Sequence, residues 1–329
     1  MASSIRGVIK FLGMNTIFDD IFSSEKKRKP AEILAWMRTI REAETTGVLR
    51  LFNPPNVKLI FHHYRGRWSS STLDPDGDSA LIDLANDIAL NNDMFTKFIQ
   101  LSTHGLVHSN LLLRAEYQQQ ENGVRSAELP WETNSSTERT DPYLIKMKWG
   151  NASGSILFNG VSNLPHSLYI SENLILDEPG ISTPILQRKD DPSCVITLFS
   201  PDPTMDAWQE LRLRRSFKLL CDRMLERSEL IAGRAIVETF TQVISSFTAS
   251  EQIDISILKR QLVNNEFYRS SHEAAGQYRM VFGEFIDHFS AVFGSRLLLS
   301  NLREIRLALS SDIRDVLTYY KILPDEYVI

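Results

Sequence analysis

From Ala207 to the end of the chain, apolar side chains return every three or four residues in five successive stripes, and this pattern constrains the fold more than any other feature. The first stripe carries Leu213, Phe217, Leu220, Met224 and Ile231, and the second Ile236, Phe240, Val243 and Phe247. The third runs through Tyr278, Phe282, Phe285, Phe289 and Val292 and stops near Gly294. Leu298, Leu302, Ile305 and Leu309 form the fourth, and Ile313, Val316, Leu317 and Tyr320 the fifth, before Pro324. A helix with one apolar face must bury it against another such face, so residues 207–329 are expected to be a helical domain. The same helices offer a surface for a homo-oligomer. Arg212, Arg214 and Arg215, with Arg223 and Arg227, form either a basic ridge for an acidic partner or a solvated face; the interleaved Asp222, Glu226 and Glu229 favour the solvated face.

Upstream the period changes, and 329 residues leave room for two or three domains. The formal net charge of -5 would not draw a polyanion along the whole surface, which argues against nucleic acid as a partner. Cys194 and Cys221 stand in unrelated contexts and make no disulfide framework. The apolar lead over 1–30 is interrupted by Gly7, Lys10, Gly13 and Asn15, and no window reaches the roughly 18 apolar residues of a membrane span; a cytoplasmic protein is expected. The run Glu25-Lys26-Lys27-Arg28-Lys29 reads as a solvated connection.

Ile33, Leu34, Met37 and Ile40 predict a helix that stops before Gly47. Val48, Leu49 and Leu51 then predict a strand, Asn53-Pro54-Pro55-Asn56 a turn, and Lys58-Leu59-Ile60-Phe61 a second strand. Tyr64-Arg65-Gly66-Arg67 reverses the chain into a third strand over Trp68 to Thr72. Gly47 and Gly66 stand where the chain changes direction, which gives them a structural role. Asp74-Pro75-Asp76-Gly77-Asp78 reads as a turn and helix cap, since an EF-hand loop would need its glycine at the sixth and a glutamate at the twelfth position. From Ala80 to Arg114 the spacing of Leu81, Leu84, Ile88, Phe95, Phe98 and Ile99 predicts helix. His104 and His108, at i and i+4 there, are the candidate metal ligands, but no third ligand stands near them, and capped or partly buried histidines are the expectation, with no metal and no cofactor. His62 and His63 are neighbours in a strand, so they point to opposite faces. Residues 118–141 are polar and read as a linker or long loop. Residues 142–206 are β-rich, with strands expected at Tyr143 to Trp149, Gly154 to Phe158, Ser167 to Ile170 and Cys194 to Phe199.

The succession of a helix, Thr46-Gly47-x-Leu49-x-Leu51, a turn, Lys58-Leu59-Ile60-Phe61 and Arg65-Gly66-Arg67 resembles the core of the PATAN domain, a module of bacterial and mainly cyanobacterial signalling proteins. The resemblance covers about residues 31–72 and departs from the family pattern at Trp68 and in the Pro-Pro turn. It implies an adaptor that contacts other proteins, and it brings no catalytic residue. Arg65, Arg67 and Trp68, together with Arg212, Arg214 and Arg215, are the candidate partner-binding residues. The sequence contains no G-x-S-x-G, G-x-x-x-x-G-K-[ST], H-E-x-x-H or C-x-x-C signature. The expected architecture is therefore α+β: a lead over 1–30, a helix-plus-hairpin module over 31–117, the linker over 118–141, the β-rich segment over 142–206 and the helical domain over 207–329. The expected function is a non-enzymatic regulatory or adaptor protein. The alternative is a small-ligand sensor or enzyme with a pocket between the β-rich and helical parts.

Overall fold

The computed structural model describes residues 26–53, 57–71, 91–122, 143–149, 152–159, 164–170, 173–176, 193–199 and 204–323. The fold is α+β. Helix α1 (Pro30–Glu42) starts at a proline, whose fixed φ suits the first helical turn. The Lys29 amide donates to Glu32 Oε2 at 3.1 Å, which gives one free amide of the helix start a partner. The buried face is Ile33, Trp36, Met37 and Ile40, so Trp36 takes the place the sequence spacing gives to Leu34, which is exposed.

This face packs on an antiparallel sheet of β1 (Lys26–Arg28), β2 (Gly47–Asn53), β3 (Val57–Tyr64), β4 (Arg67–Ser71) and β5 (Met94–Gln100), ordered β1-β5-β2-β3-β4. Leu49, Leu51, Leu59, Phe61, Met94 and Phe98 meet α1 and close the core. Two expectations are corrected. The cationic run at Lys26 to Arg28 is solvent-exposed at Lys26 and Lys27, as expected, but it is an edge strand rather than a connection, paired with β5 and tied by Arg28 Nε donating to Thr96 Oγ1 at 2.9 Å. Phe95, Phe98 and Ile99 belong to a strand, not a helix: Met94, Thr96 and Phe98 are buried while Phe95, Lys97 and Ile99 are half-buried, a period of two. An aromatic and β-branched run of this kind fits a pleated surface.

Helix α2 (Thr103–Asn122) runs through Gln118 to Asn122, which composition assigns to the polar linker. A second five-stranded sheet holds β6 (Tyr143–Trp149), β7 (Ala152–Asn159), β8 (Leu164–Ile170), β9 (Asn173–Leu176) and β10 (Val195–Phe199) in the order β10-β6-β7-β8-β9. The two strand clusters are thus separate sheets. The chain divides into two compact units, the first of Met1–Arg114, Met147–Ser155 and Ser167–Val195, the second of Ala115–Lys146, Ile156–His166 and Ile196–Ile329.

The C-terminal part contains α3 (Asp206–Ala232), α4 (Arg234–Ser250), α5 (Ser271–Phe293), α6 (Ser295–Ala308) and α7 (Ser311–Tyr319). Leu213, Phe217 and Leu220 of α3 share a core with Tyr278, Phe285 and Phe289 of α5, Leu302 of α6 and Leu317 of α7. Ile231 and Val292 end their stripes exposed, and α4 turns Val237, Phe240, Ile244 and Thr248 inward, one position on from Ile236, Val243 and Phe247. A hairpin of β11 (Ile255–Leu258) and β12 (Gln261–Asn264) interrupts the helices. Its turn residues Lys259 and Arg260 have φ of 49 and 66, a left-handed pair that usually takes Asn-Gly, so the sequence carried no turn signal there. Among the described residues no helix is long and apolar enough to cross a membrane.

Candidate interaction surface

The β3–β4 turn is built by Arg65 and Gly66, with φ of 48 and 72. Two successive left-handed residues match the twist of the flanking strands. The turn is braced from α1's end: the Gly66 amide donates to the Thr45 carbonyl at 2.9 Å, and the Arg65 amide to Thr46 Oγ1 at 3.1 Å. A Cβ at Gly66 would lie 2.5 Å from the Arg41 carbonyl oxygen and 2.8 Å from its Cα, so glycine is required both by φ and by the passing backbone. Gly47 has a different reason. A Cβ there would stand 2.1 Å from the Ile99 carbonyl oxygen and 2.8 Å from the Phe98 ring, so β5 could not come as close.

Arg65 and Arg67 are exposed on this corner, as are Arg38 and Arg41 on α1. The Arg65 guanidinium lies over the Tyr64 ring, 5.2 Å from its centroid, which limits the directions its donors take. The side chain of Trp68 lies outside the described residues, although its backbone is part of β4.

Beneath the corner are two buried histidines. His63 faces the α1 side, its ring edge-on to Phe98 at 6.1 Å, and His62 faces the other side of the sheet. Burial pushes both down to about 3; Arg114, His63 and Arg50 depress His62 further, while a hydrogen bond with the Gly66 backbone partly offsets the fall for His63. Both are neutral at pH 7. They are therefore core groups that resist protonation.

The pair His104 and His108 does share helix α2. His108 is buried and its Nε2 is 2.7 Å from Ser155 Oγ, a hydrogen bond with one side-chain partner; the side chain of His104 lies outside the described residues. Among the described residues no group of three or more His, Cys, Asp or Glu side chains comes together for a metal.

The arginines of α3 do not form one surface. Arg214, a candidate contact on the basic ridge, is instead buried. Its Nε donates to Glu210 Oε1 at 2.9 Å, and its two terminal nitrogens donate to the carbonyls of Asn264 at 3.1 Å and Glu266 at 2.6 Å. The pair clamps the β11–β12 hairpin onto α3, and Asn264 passes the network to the Tyr278 hydroxyl at 2.7 Å. A helical spacing of 3.6 carries 214 to the face shared by 210, 213 and 217, which is the core side. Arg212 and Arg215 are half-buried; burial lowers the Arg215 pKa and Asp312 opposes that shift. Asp206, at the start of α3, accepts from the Ser271 amide at 3.1 Å and from its hydroxyl at 2.5 Å, joining the first turns of α3 and α5.

Of the candidate partner-binding residues, Arg65 and Arg67 are exposed, Arg212 and Arg215 are half-buried and Arg214 is buried. No family model, no curated protein and no solved structure matches this chain.

Proposed function

We propose that this chain is a non-enzymatic adaptor whose N-terminal module holds an acidic segment of a partner protein at the Arg65-Gly66-Arg67 corner. The observation that carries the reading is the bracing of that turn, with two left-handed residues fixed by hydrogen bonds of 2.9 and 3.1 Å to Thr45 and Thr46. Guanidinium groups on a fixed corner meet carboxylates with little ordering cost, and Arg offers the forked donor geometry that carboxylates match. The resemblance of residues 31–72 to PATAN modules supports the same reading and adds bacterial signalling as its setting.

The test is capture of partners from the native cell by the tagged full chain, beside the Arg65→Glu, Arg67→Glu double variant, each followed by mass spectrometry. The expected result is one or a few acidic proteins retained by the native chain and lost from the variant, with the binding salt-sensitive. An identical set of proteins on both would overturn the assignment.

A further inference from the structure

Three chain reversals meet at one end of the C-terminal helices. Helices α3 and α5 start side by side, where Ser271 donates to Asp206, and run in the same direction, with Phe217 stacked on Tyr278 at 4.3 Å further along. Gly294 then turns the chain into α6, which returns along α3 and accepts from Arg227 Nε at Asn301 Oδ1, 3.2 Å away. The tip of the β11–β12 hairpin lies beside the last turn of α3, because Arg260 donates to Glu229 Oε2 at 2.9 Å. The α3–α4 turn at Gly233, the α5–α6 turn at Gly294 and the hairpin turn therefore share an end. Helix α3 has 27 residues and α5 has 23, so the apolar stripe of α3 overruns its neighbour by about one turn, or ~6 Å. Leu230, at 77% exposure, Ile231, Leu258, at 58%, Val292 and Leu297 all stand open there. They are five of the eleven exposed large apolar side chains among the described residues, so this end is a patch and not a scatter of single residues.

The charges at this end have one sign. The turns, over 230–235, 258–261 and 291–297, contain Arg234, Lys259, Arg260 and Arg296, all exposed, and no Asp or Glu. The acids that flank them on α3 and α4 are already paired: Glu226 with Arg223 at 2.8 Å, Glu229 with Arg260 at 2.9 Å and Glu238 with Arg234 at 3.4 Å. Lys259 and Arg296 join no ion pair among the described residues and leave the end positive. Each of the three turns thus carries an exposed apolar side chain next to a cation. A second copy docked here about a two-fold axis would bring the same cations against one another. Apolar residues on three separate turns offer a partner no single groove, and a fluid surface needs no shape match where a protein partner does. An anionic bilayer meets both demands: its phosphates lie at the level of the cations and its acyl boundary lies just beneath them.

We propose that this end of the helical part docks on an anionic membrane surface, with Leu230 and Leu258 leading the apolar tips into the headgroup boundary and Lys259 and Arg296 held by the lipid charges. The chain lies on the bilayer and does not span it, in keeping with the lack of a long apolar helix among the described residues. The net charge of -5 does not oppose this, because the cations are gathered on three turns and the overall charge acts only to orient the chain. Arg65 and Arg67 take no part, so this assignment and the adaptor reading can each fail alone.

The experiment is flotation of the full chain with three kinds of vesicle: phosphatidylcholine alone, and phosphatidylcholine with about one third phosphatidylserine or one third phosphatidylglycerol. The expected result is binding to both anionic vesicles, weaker at about 0.5 M salt, and little binding to phosphatidylcholine alone. Leu230→Gln with Leu258→Gln should weaken binding about 10-fold or more, since the apolar contribution is lost while the charges stay. Lys259→Gln with Arg296→Gln should weaken it about 25-fold on the anionic vesicles and remove much of the salt dependence. Leu307→Gln is the control: Leu307 is 71% exposed but stands at the far end of α6, and its replacement should leave binding unchanged. All these side chains are exposed, and melts within about 2 °C of the native chain establish that the variants are folded. Absence of binding to either anionic vesicle would overturn the proposal, as would equal binding to phosphatidylcholine alone. So would binding indifferent to the Leu230 and Leu258 variant, or weakened as much by Leu307→Gln. Sedimentation of the lipid-free chain as a dimer that the Leu230 and Leu258 variant dissolves would give this end to a second copy and overturn the proposal too. Vesicle binding retained by the Arg65→Glu, Arg67→Glu variant would separate the site from the corner and support it.

Discussion

Replacing Gly66 by valine puts the bracing of the β3–β4 turn to a quantitative test. The residue has φ of +72, and a left-handed conformation costs an L residue about 1–2 kcal/mol before any contact is considered. Its Cβ would then sit 2.5 Å from the Arg41 carbonyl oxygen and 2.8 Å from the Arg41 Cα. These are backbone atoms of a helix end and cannot swing aside, so the turn must move at an overpacking cost of about 1–3 kcal/mol. The sum is about 2–5 kcal/mol, a large part of the roughly 5–15 kcal/mol that holds a domain together. Hydrogen exchange read by mass spectrometry localises the effect: amides of Val57–Tyr64 and Pro30–Glu42 should exchange about 30-fold faster or more, while those of Ser271–Phe293 stay as in the native chain. Gly283→Ala is the control, because its Cβ would meet nothing within 4 Å and alanine favours the helix. Unchanged protection in the sheet of Gly66→Val would refute the reasoning, and faster exchange in Ser271–Phe293 would show that the perturbation is not confined to the turn.

Three further outcomes follow from the buried polar groups and the open helix positions. His62 and His63, held down to about 3 against an ordinary 6.5, leave the unfolded chain binding more protons between those values; stability present above pH 6.5 is lost as pH falls. Urea titrations of the N-terminal sheet at pH 7 and pH 5 should differ by about 2 kcal/mol per histidine, and the dependence should flatten in the His62→Gln, His63→Gln variant. Arg214→Met strands Glu210 in the core and should cost about 3–5 kcal/mol in chemical denaturation, of which adding Glu210→Gln recovers at least about 1 kcal/mol because the lone charge is gone. Gly276→Ala together with Gly283→Ala should raise the melting temperature of the helical part, each by about 0.5–1 kcal/mol of stability, as nothing stands within 4 Å of either new Cβ.

The helical stripes, the first two strands and both structural glycines were legible in the sequence because each is a local property. Periodicity of 3.6 or 2 follows from which side of one element is apolar, and Leu213, Phe217, Tyr278 and Phe285 needed no partner to be recognised as core. What depends on pairing was not legible. Phe95 and Lys97 fit a helical spacing as well as a strand until the register with β2 chose between them, and only that register set Phe95 beside Phe52 and Lys97 beside Arg50. Lys27 became a sheet residue through its bond to β5, a partner 68 positions on in the Arg28–Thr96 contact. Arg214 looks in sequence like the half-buried Arg212 and Arg215 beside it, and the hairpin that supplies one of its acceptors, with Glu266 just beyond supplying another, carries no turn signal. Sequence alone determined which segments bury a face, since that is written in side-chain polarity along one element. The tertiary structure decided which faces are left open and which charges meet on them, because strand register and helix rotation are fixed by contacts between residues distant in the chain.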